Sequence, residues 1–125
     1  MLLRVIDSIT ELRAADAGCI AVSGSHGGLS SARYAAAVRP LLSVFNDAGV
    51  GKDAAGIAGL ALLQAQGLAA CTVEHLSARI GDAHSTLADG IISHANELAR
   101  QLGLRPGQSL QSAVTALQTQ PRRPS

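Results

Sequence analysis

The sequence predicts an α/β fold, a three-layer α/β/α sandwich around a mostly parallel sheet of four or five strands. Three observations predict it. Short, predominantly apolar runs recur along the 125 residues, at 2–6, 18–22, 41–45 and 69–73. Segments of helical character separate them, so strand and helix alternate. The runs lack the in-out polar alternation of a sheet wetted on one face, which marks burial on both faces.

Residues 2–6 form the first strand, and a short helix follows from about Ser8 to Ala17. Residues 18–22 are the second strand. Residues 29–39, Ala-rich and free of breakers, are the second helix, which Pro40 ends. Residues 41–45 are the third strand. Asp53 caps a third helix that runs to about Gln66, with Gly67 as its stop. Residues 69–73 are the fourth strand. The longest helix runs from about Ala83 or Ser85 to Leu102 and ends at Gly103. Thr86 and Asp89 have capping-box spacing there, and Leu87, Ile91, Leu98 and Leu102 share one stripe. A last helix over about 108–117 places Leu110, Val114 and Leu117 on one face. No repeat or linker interrupts the order. Residues 1–118 are expected to form one domain, and 119–125, polar and proline-containing, a flexible tail.

Composition narrows the function. Hydrophobic residues make up 47% of the chain but aromatics only 2%, so Leu, Ile, Val and Ala must build the core. Ten Lys and Arg balance nine Asp and Glu at a net charge of +1. Without a basic stripe or stacking aromatics, no nucleic-acid partner is expected. Arg4, Asp7, Glu11 and Arg13 argue against a signal peptide, and the apolar runs are too short to span a bilayer. No membrane partner and a cytoplasmic location are therefore expected. Cys19 and Cys71 lie inside predicted strands without metal-ligand spacing, and read as small core hydrophobes in a reducing compartment.

Open parallel sheets bind ligands outside the carboxyl ends of their strands. Here those ends carry Asp7-Ser8, Ser23 to His26, Asn46-Asp47, and Glu74-His75 followed by Ser77-Ala78-Arg79. Turn and cap duty explains any one of them. Four together, one in a glycine-rich stretch, indicate a site.

The stretch from Ser23 to Gly28 permits three readings. As an anion cradle, Ser23, Gly24, Ser25, Gly27 and Gly28 offer amides and hydroxyls to a phosphate or carboxylate at a helix start. As a nucleophile elbow, it matches G-x-S-x-G with Ser23 in place of the first glycine. Asp47 or Asp82, then His75 or His94, follow in the required order. The chain is much shorter than that hydrolase fold usually needs. As a plain turn, the stretch carries no chemistry.

Residues 46–53 approach a P-loop and fail it twice. Asn46 stands where the first glycine belongs, and Asp53 where the metal-binding hydroxyl belongs. Nucleoside triphosphate binding is not expected. Asn46, Lys52, Ser77 and Arg79 remain as ligand-binding candidates. Arg79 is the best clamp, because a guanidinium offers two parallel donors, and Asp82 either orients it or caps the next helix. His26 and Asp47 are the acid/base candidates, with Ser25 as the catalytic hydroxyl and His75 next in positional claim. Imidazole titrates near neutral pH, and a carboxylate orients it. No H-x-x-x-H or C-x-x-C spacing occurs, so no metal and no cofactor are expected. Gly90 points to close approach of another backbone, and the Ala-rich helices suit a homo-oligomer.

Residues 18–45 resemble the C-terminal domain of pyruvate kinase. The resemblance lies in the strand Cys19-Ile20-Ala21-Val22, the Ser/Gly turn Ser23 to Gly28, then Ser31-Ala32-Arg33-Tyr34 and Arg39-Pro40 before another apolar strand. It implies a regulatory α/β sandwich whose loop helps hold a phosphorylated effector. It covers under a quarter of the chain. His26 and Gly27-Gly28 depart from that family's usual turn, and nothing in the resemblance implies kinase activity.

The sequence thus points to a small-molecule site at the carboxyl edge of the sheet. Its ligand is a polar, anionic metabolite, phosphate or carboxylate, and its chemistry that of an acid/base hydrolase, lyase or isomerase. The alternative is a non-catalytic effector-binding or homo-oligomeric structural module.

Overall fold

Five strands pair in chain order into one sheet: β1 (Leu3–Ile6), β2 (Ile20–His26), β3 (Leu42–Asn46), β4 (Ala69–Val73) and β5 (Ile92–Ala95). The computed structural model describes residues 2–119. β1 to β4 run parallel, and β5 closes the sheet antiparallel to β4. Right-handed crossovers between strands laid down in order carry their helices to one face. There lie α1 (Leu29–Val38) and α2 (Ala58–Ala65), with 3₁₀ turns at Ile9–Glu11 and Ala14–Asp16. The other face is covered by α3 (Ala83–Asp89), α4 (Glu97–Gln101) and α5 (Leu110–Thr119). The fold is the predicted three-layer α/β sandwich.

Strand alternation sorts the core into two halves. Ile20, Val22, Leu42, Val44, Cys71 and Val73 meet the helices of one face. Cys19, Ala21, Phe45 and Ala70 meet Ala32, Ala35, Leu60 and Leu63 on the other. Burying each large aliphatic among them is worth about 1.5–3 kcal/mol. Both faces of β3 and β4 are dry, which is why their sequence reads as apolar runs. No helix among the described residues is long and apolar enough to cross a membrane.

Four expectations need correction. The helix expected over 8–17 is two separate 3₁₀ turns, because Leu12 is extended between them. β2 does not stop at Val22. Ser23 pairs with Ile6, the Gly24 N–H reaches the Asp7 carbonyl, and the strand continues through a register shift to His26. Asp53 does not cap a helix to Gln66; its φ of 57° is left-handed, and α2 begins only at Ala58 after a 3₁₀ turn at Lys52–Ala54.

The fourth correction is the largest. The single helix expected over 83–102 is α3, β5 and α4 in succession. Gly90 breaks it. A Cβ on Gly90 would collide with the Thr86 carbonyl oxygen and come within 2.7 Å of Val73 Cγ1, so the close approach there is to this chain's own β4. α3 is capped by Asp82, whose carboxylate accepts the Ser85 N–H at 3.0 Å, and not by Thr86 and Asp89. Of the expected tail, Thr119 ends α5, and 120–125 lie outside the described residues.

Candidate functional site

The segment after β4 returns across the carboxyl edge of the sheet and is fastened to each strand it passes. Asn46 Nδ2, at the end of β3, donates to the Ala78 carbonyl at 3.2 Å. The Gly81 N–H donates to the Gly24 carbonyl of β2 at 2.7 Å. The Ala83 N–H donates to Asp7 Oδ1, just past β1, at 3.0 Å. Residues 74–82 thus roof the strand ends and deliver the chain to α3 on the far face.

This roof explains most of the polar groups that the sequence gathers at the edge. Ser23 is fully buried, and its hydroxyl donates to the Val44 carbonyl at 2.8 Å. Ser25 Oγ accepts the Ile9 N–H at 3.0 Å. The Gly27 N–H donates to the Asn46 carbonyl at 3.0 Å. Gly24 is a glycine because a Cβ there would meet the backbone of Gly81 at 2.5 Å. Gly27 and Gly28 lie against the chain entering α2: a Cβ on Gly27 would stand 2.6 Å from the Gly56 carbonyl oxygen. Of the expected cradle, the Ser23 and Ser25 hydroxyl oxygens and the Gly27 N–H are engaged by the fold's own hydrogen bonds. Ser25 lies within β2 rather than on a strand-to-helix turn, so the elbow geometry is absent. What remains there is α1, which starts at Gly28 without a side-chain cap, and the exposed His26 ring against Gly28.

The loop after β3 is shaped by Asn46 and Asp47. Asn46 Oδ1 accepts the Ala48 N–H and Asp47 Oδ1 the Gly49 N–H, each at 2.8 Å. Ala48, Val50, Asp53 and Ala54 take φ values of 51°, 67°, 57° and 56°. A left-handed backbone costs an L residue roughly 1–2 kcal/mol, and more for β-branched valine. The two side chains hold the loop there and engage the Ala48 and Gly49 N–H groups. Lys52 is exposed on this loop.

Beside the roof lies an open cleft of about 580 Å³. Asn46, His75, Ser77 and Arg79 line it, with Ser85 and Asp89 from α3. Asp47 stands behind His75, only 3% exposed. Its Oδ1 accepts the His75 N–H at 3.1 Å and lies 3.5 Å from the ring's Nδ1. The buried carboxylate therefore fixes the backbone of a histidine whose side chain, 46% exposed, keeps its ring beside the same oxygen. The Arg79 guanidinium is exposed and makes no hydrogen bond or ion pair among the described residues, leaving a full fork of donors. The Arg79 N–H donates to Ser85 Oγ at 3.0 Å. The Ser77 hydroxyl is engaged by the Glu74 carbonyl and the Ile91 N–H.

Of the residues singled out from sequence, the structure brings Asn46, Ser77 and Arg79 to this cleft, with Asp47 behind it. Ser23, Gly24, Ser25, Gly27, Gly28, His26 and Lys52 do not line it. His75 takes the place given to His26, and Asp89 and Ser85 join from a helix read as capping residues. The signal for His75 was its position, immediately after β4 on the same edge.

Among the described residues, no three His, Cys, Asp or Glu side chains form a group that could hold a metal ion. The thiols stand apart from this chemistry. Burial pushes Cys71 up to about 12, and burial, then the Asp16 carboxylate, raises Cys19, so neither offers a thiolate near neutral pH. Comparison of the chain with protein-family models, curated proteins and solved structures returns no match.

Proposed function

We propose that the cleft between the 74–80 segment and α3 binds a small anionic metabolite and performs acid/base chemistry on it. The observation that carries this reading is the Asp47–His75 pair at the rim of a cleft that also holds an unpaired guanidinium. Arg79 takes the anion through paired N–H donors. His75, with its Nδ1 3.5 Å from the Asp47 carboxylate, is the proton-transfer group. Hydrolysis, elimination and isomerisation of a small acid all suit these groups. Two free, buried cysteines support a reducing, cytoplasmic setting.

The test is a titration of wild type, Arg79→Gln and His75→Gln with a panel of small carboxylates and phosphates. Binding is read by amide NMR shifts and turnover by proton NMR of the ligands. The expected result is binding lost in Arg79→Gln, and binding kept but turnover lost in His75→Gln. Binding without turnover in the wild type would make the chain an effector-binding module. A panel that moves no resonance of residues 74–80 sinks the reading.

A further inference from the structure

The cleft is not uniformly positive. Asp89, the last residue of α3, lines it together with Arg79. Neither Arg79 nor Asp89 takes part in a salt bridge among the described residues, so the two charges share one cleft without neutralising each other. Asp89 also sits at the negative end of its helix, where peptide dipoles favour a cation. The helix therefore adds to the carboxylate's demand for a positive partner instead of meeting it.

The remaining walls are apolar. Ala48, Leu76, Ala78 and Ile80 line the same cleft. Leu76 is 81% exposed and Ile80 55%, on a molecule that otherwise buries most of its large aliphatics. Covering such surface is worth roughly 25 cal/mol per Å², so these side chains favour a ligand with an apolar part.

We infer that the cleft takes a small zwitterion with an apolar side chain, the amino-acid class. Its carboxylate lies on Arg79, its ammonium on Asp89, and its side chain against Leu76 and Ile80. This deepens the reading of the cleft as an anion site and rests on it. It also chooses between the anions that reading allows. A phosphate monoester carries about −1.5 to −2 charges at neutral pH, and would face one guanidinium in the company of Asp89. A zwitterion satisfies both free charges. The volume of about 580 Å³ falls in the usual range for small-ligand pockets and leaves room for a dipeptide as well as a single amino acid.

The experiment is an amide NMR titration of the full chain with L-leucine, L-alanine, leucyl-leucine, leucinamide, 4-methylpentanoate and inorganic phosphate. Leucinamide lacks the carboxylate and 4-methylpentanoate the ammonium. Wild type, Asp89→Asn and Arg79→Gln are compared; both side chains are exposed, and unchanged resonances outside the cleft report the intact fold. Leucine or its dipeptide should shift residues 76–80 and 85–89, with each half-ligand about tenfold weaker. Asp89→Asn should weaken the zwitterion about tenfold and leave 4-methylpentanoate no weaker. Should 4-methylpentanoate or phosphate bind the wild type as tightly as leucine, with Asp89→Asn changing nothing, the zwitterion is wrong and the anion site stands. Should no compound move the cleft, both fail.

Discussion

Asp47 holds His75 through a single carboxylate oxygen, which accepts the His75 N–H at 3.1 Å and faces the ring's Nδ1 at 3.5 Å. The same Oδ1 accepts the Gly49 N–H at 2.8 Å. One buried atom thus sets the loop after β3 and the backbone after β4. Asp47→Asn keeps a carbonyl acceptor there and removes only the charge. Asp47→Ala removes the acceptor and strands the two N–H groups. The alanine variant should lose about 1–3 kcal/mol and the asparagine variant under about 1 kcal/mol. Urea unfolding measures both, and amide hydrogen exchange at Gly49 and His75 should quicken in the alanine variant alone. Equal losses would mean that charge, not the acceptor, organises the edge.

Gly24 tests whether the glycines of the second strand serve a ligand or the fold. A Cβ at Gly24 would press on main-chain atoms of Gly81 and Asp82, which cannot yield as a side-chain tip can. The clash also threatens the Gly81 N–H bond to the Gly24 carbonyl. Gly24→Ala should therefore destabilise the protein by about 3 kcal/mol or more, combining overpacking with a lost hydrogen bond. Gly81→Ala is the control: its φ of +79° is unfavourable, but nothing lies within 4 Å of the added methyl. It should cost only about 1–2 kcal/mol. Denaturant midpoints decide the matter, and a Gly24→Ala protein as stable as wild type would mean that the roof is not fastened there.

The same contact shows which part of the site the sequence could carry. Asn46, Asp47, His75 and Arg79 were legible as edge residues, because strand ends follow from apolar runs and ligands gather at those ends. The duty of each glycine and serine was not. It depends on residues 74–82 doubling back over β3, β2 and β1, and the Ala83 bond to Asp7 spans 76 residues of sequence. Spacing between neighbours holds no trace of that path. β3 and β4 were legible for the opposite reason: burial on both faces leaves a run no competing pattern explains. β5 was hidden by coincidence. Leu87, Leu98 and Leu102 keep helical spacing although a strand separates them, and all three pack on the same half of the core. The contrary signals were Gly90 and the β-branched pair Ile91-Ile92.

Asn96 was the third such signal, read as a mid-helix residue and found as the N-cap of α4. Its amide uses every polar group it has. Oδ1 accepts the N–H groups of Ala70 and Ala99, both at 3.0 Å. Nδ2 donates to the carbonyls of Leu60 at 3.2 Å and Leu68 at 3.0 Å. One buried side chain therefore joins α2, the start of β4 and α4. Asn96→Ala orphans these groups in a dry setting, and should cost about 3–5 kcal/mol. Asn96→Asp keeps the two accepted bonds but brings a buried charge against two carbonyls. It should be destabilised by a similar amount at neutral pH and recover partly in acid, as the carboxyl takes up a proton and can donate again. Urea unfolding across pH would show this, and a loss under about 1 kcal/mol in either variant would remove Asn96 from that role.

Cys71 fixes the alkaline limit of stability. Its thiol is wholly buried in β4, and burial pushes it from the ordinary 9.0 up to about 12. Between those values the unfolded chain releases a proton that the folded chain keeps. The folded state then binds more protons than the unfolded, so stability falls as pH rises. The slope approaches about 1.4 kcal/mol per pH unit in this window and vanishes below it. Cys19, also raised, acts in the same direction. Cys71→Ala gives up core volume and should be less stable near neutral pH. Its stability should nevertheless decline less steeply between about pH 8 and about pH 10.5, so the two proteins converge. Urea midpoints at those two pH values suffice. Parallel declines would mean that Cys71 ionises as readily in the fold as in the unfolded chain, which a side chain with no solvent exposure in a close-packed sheet does not permit.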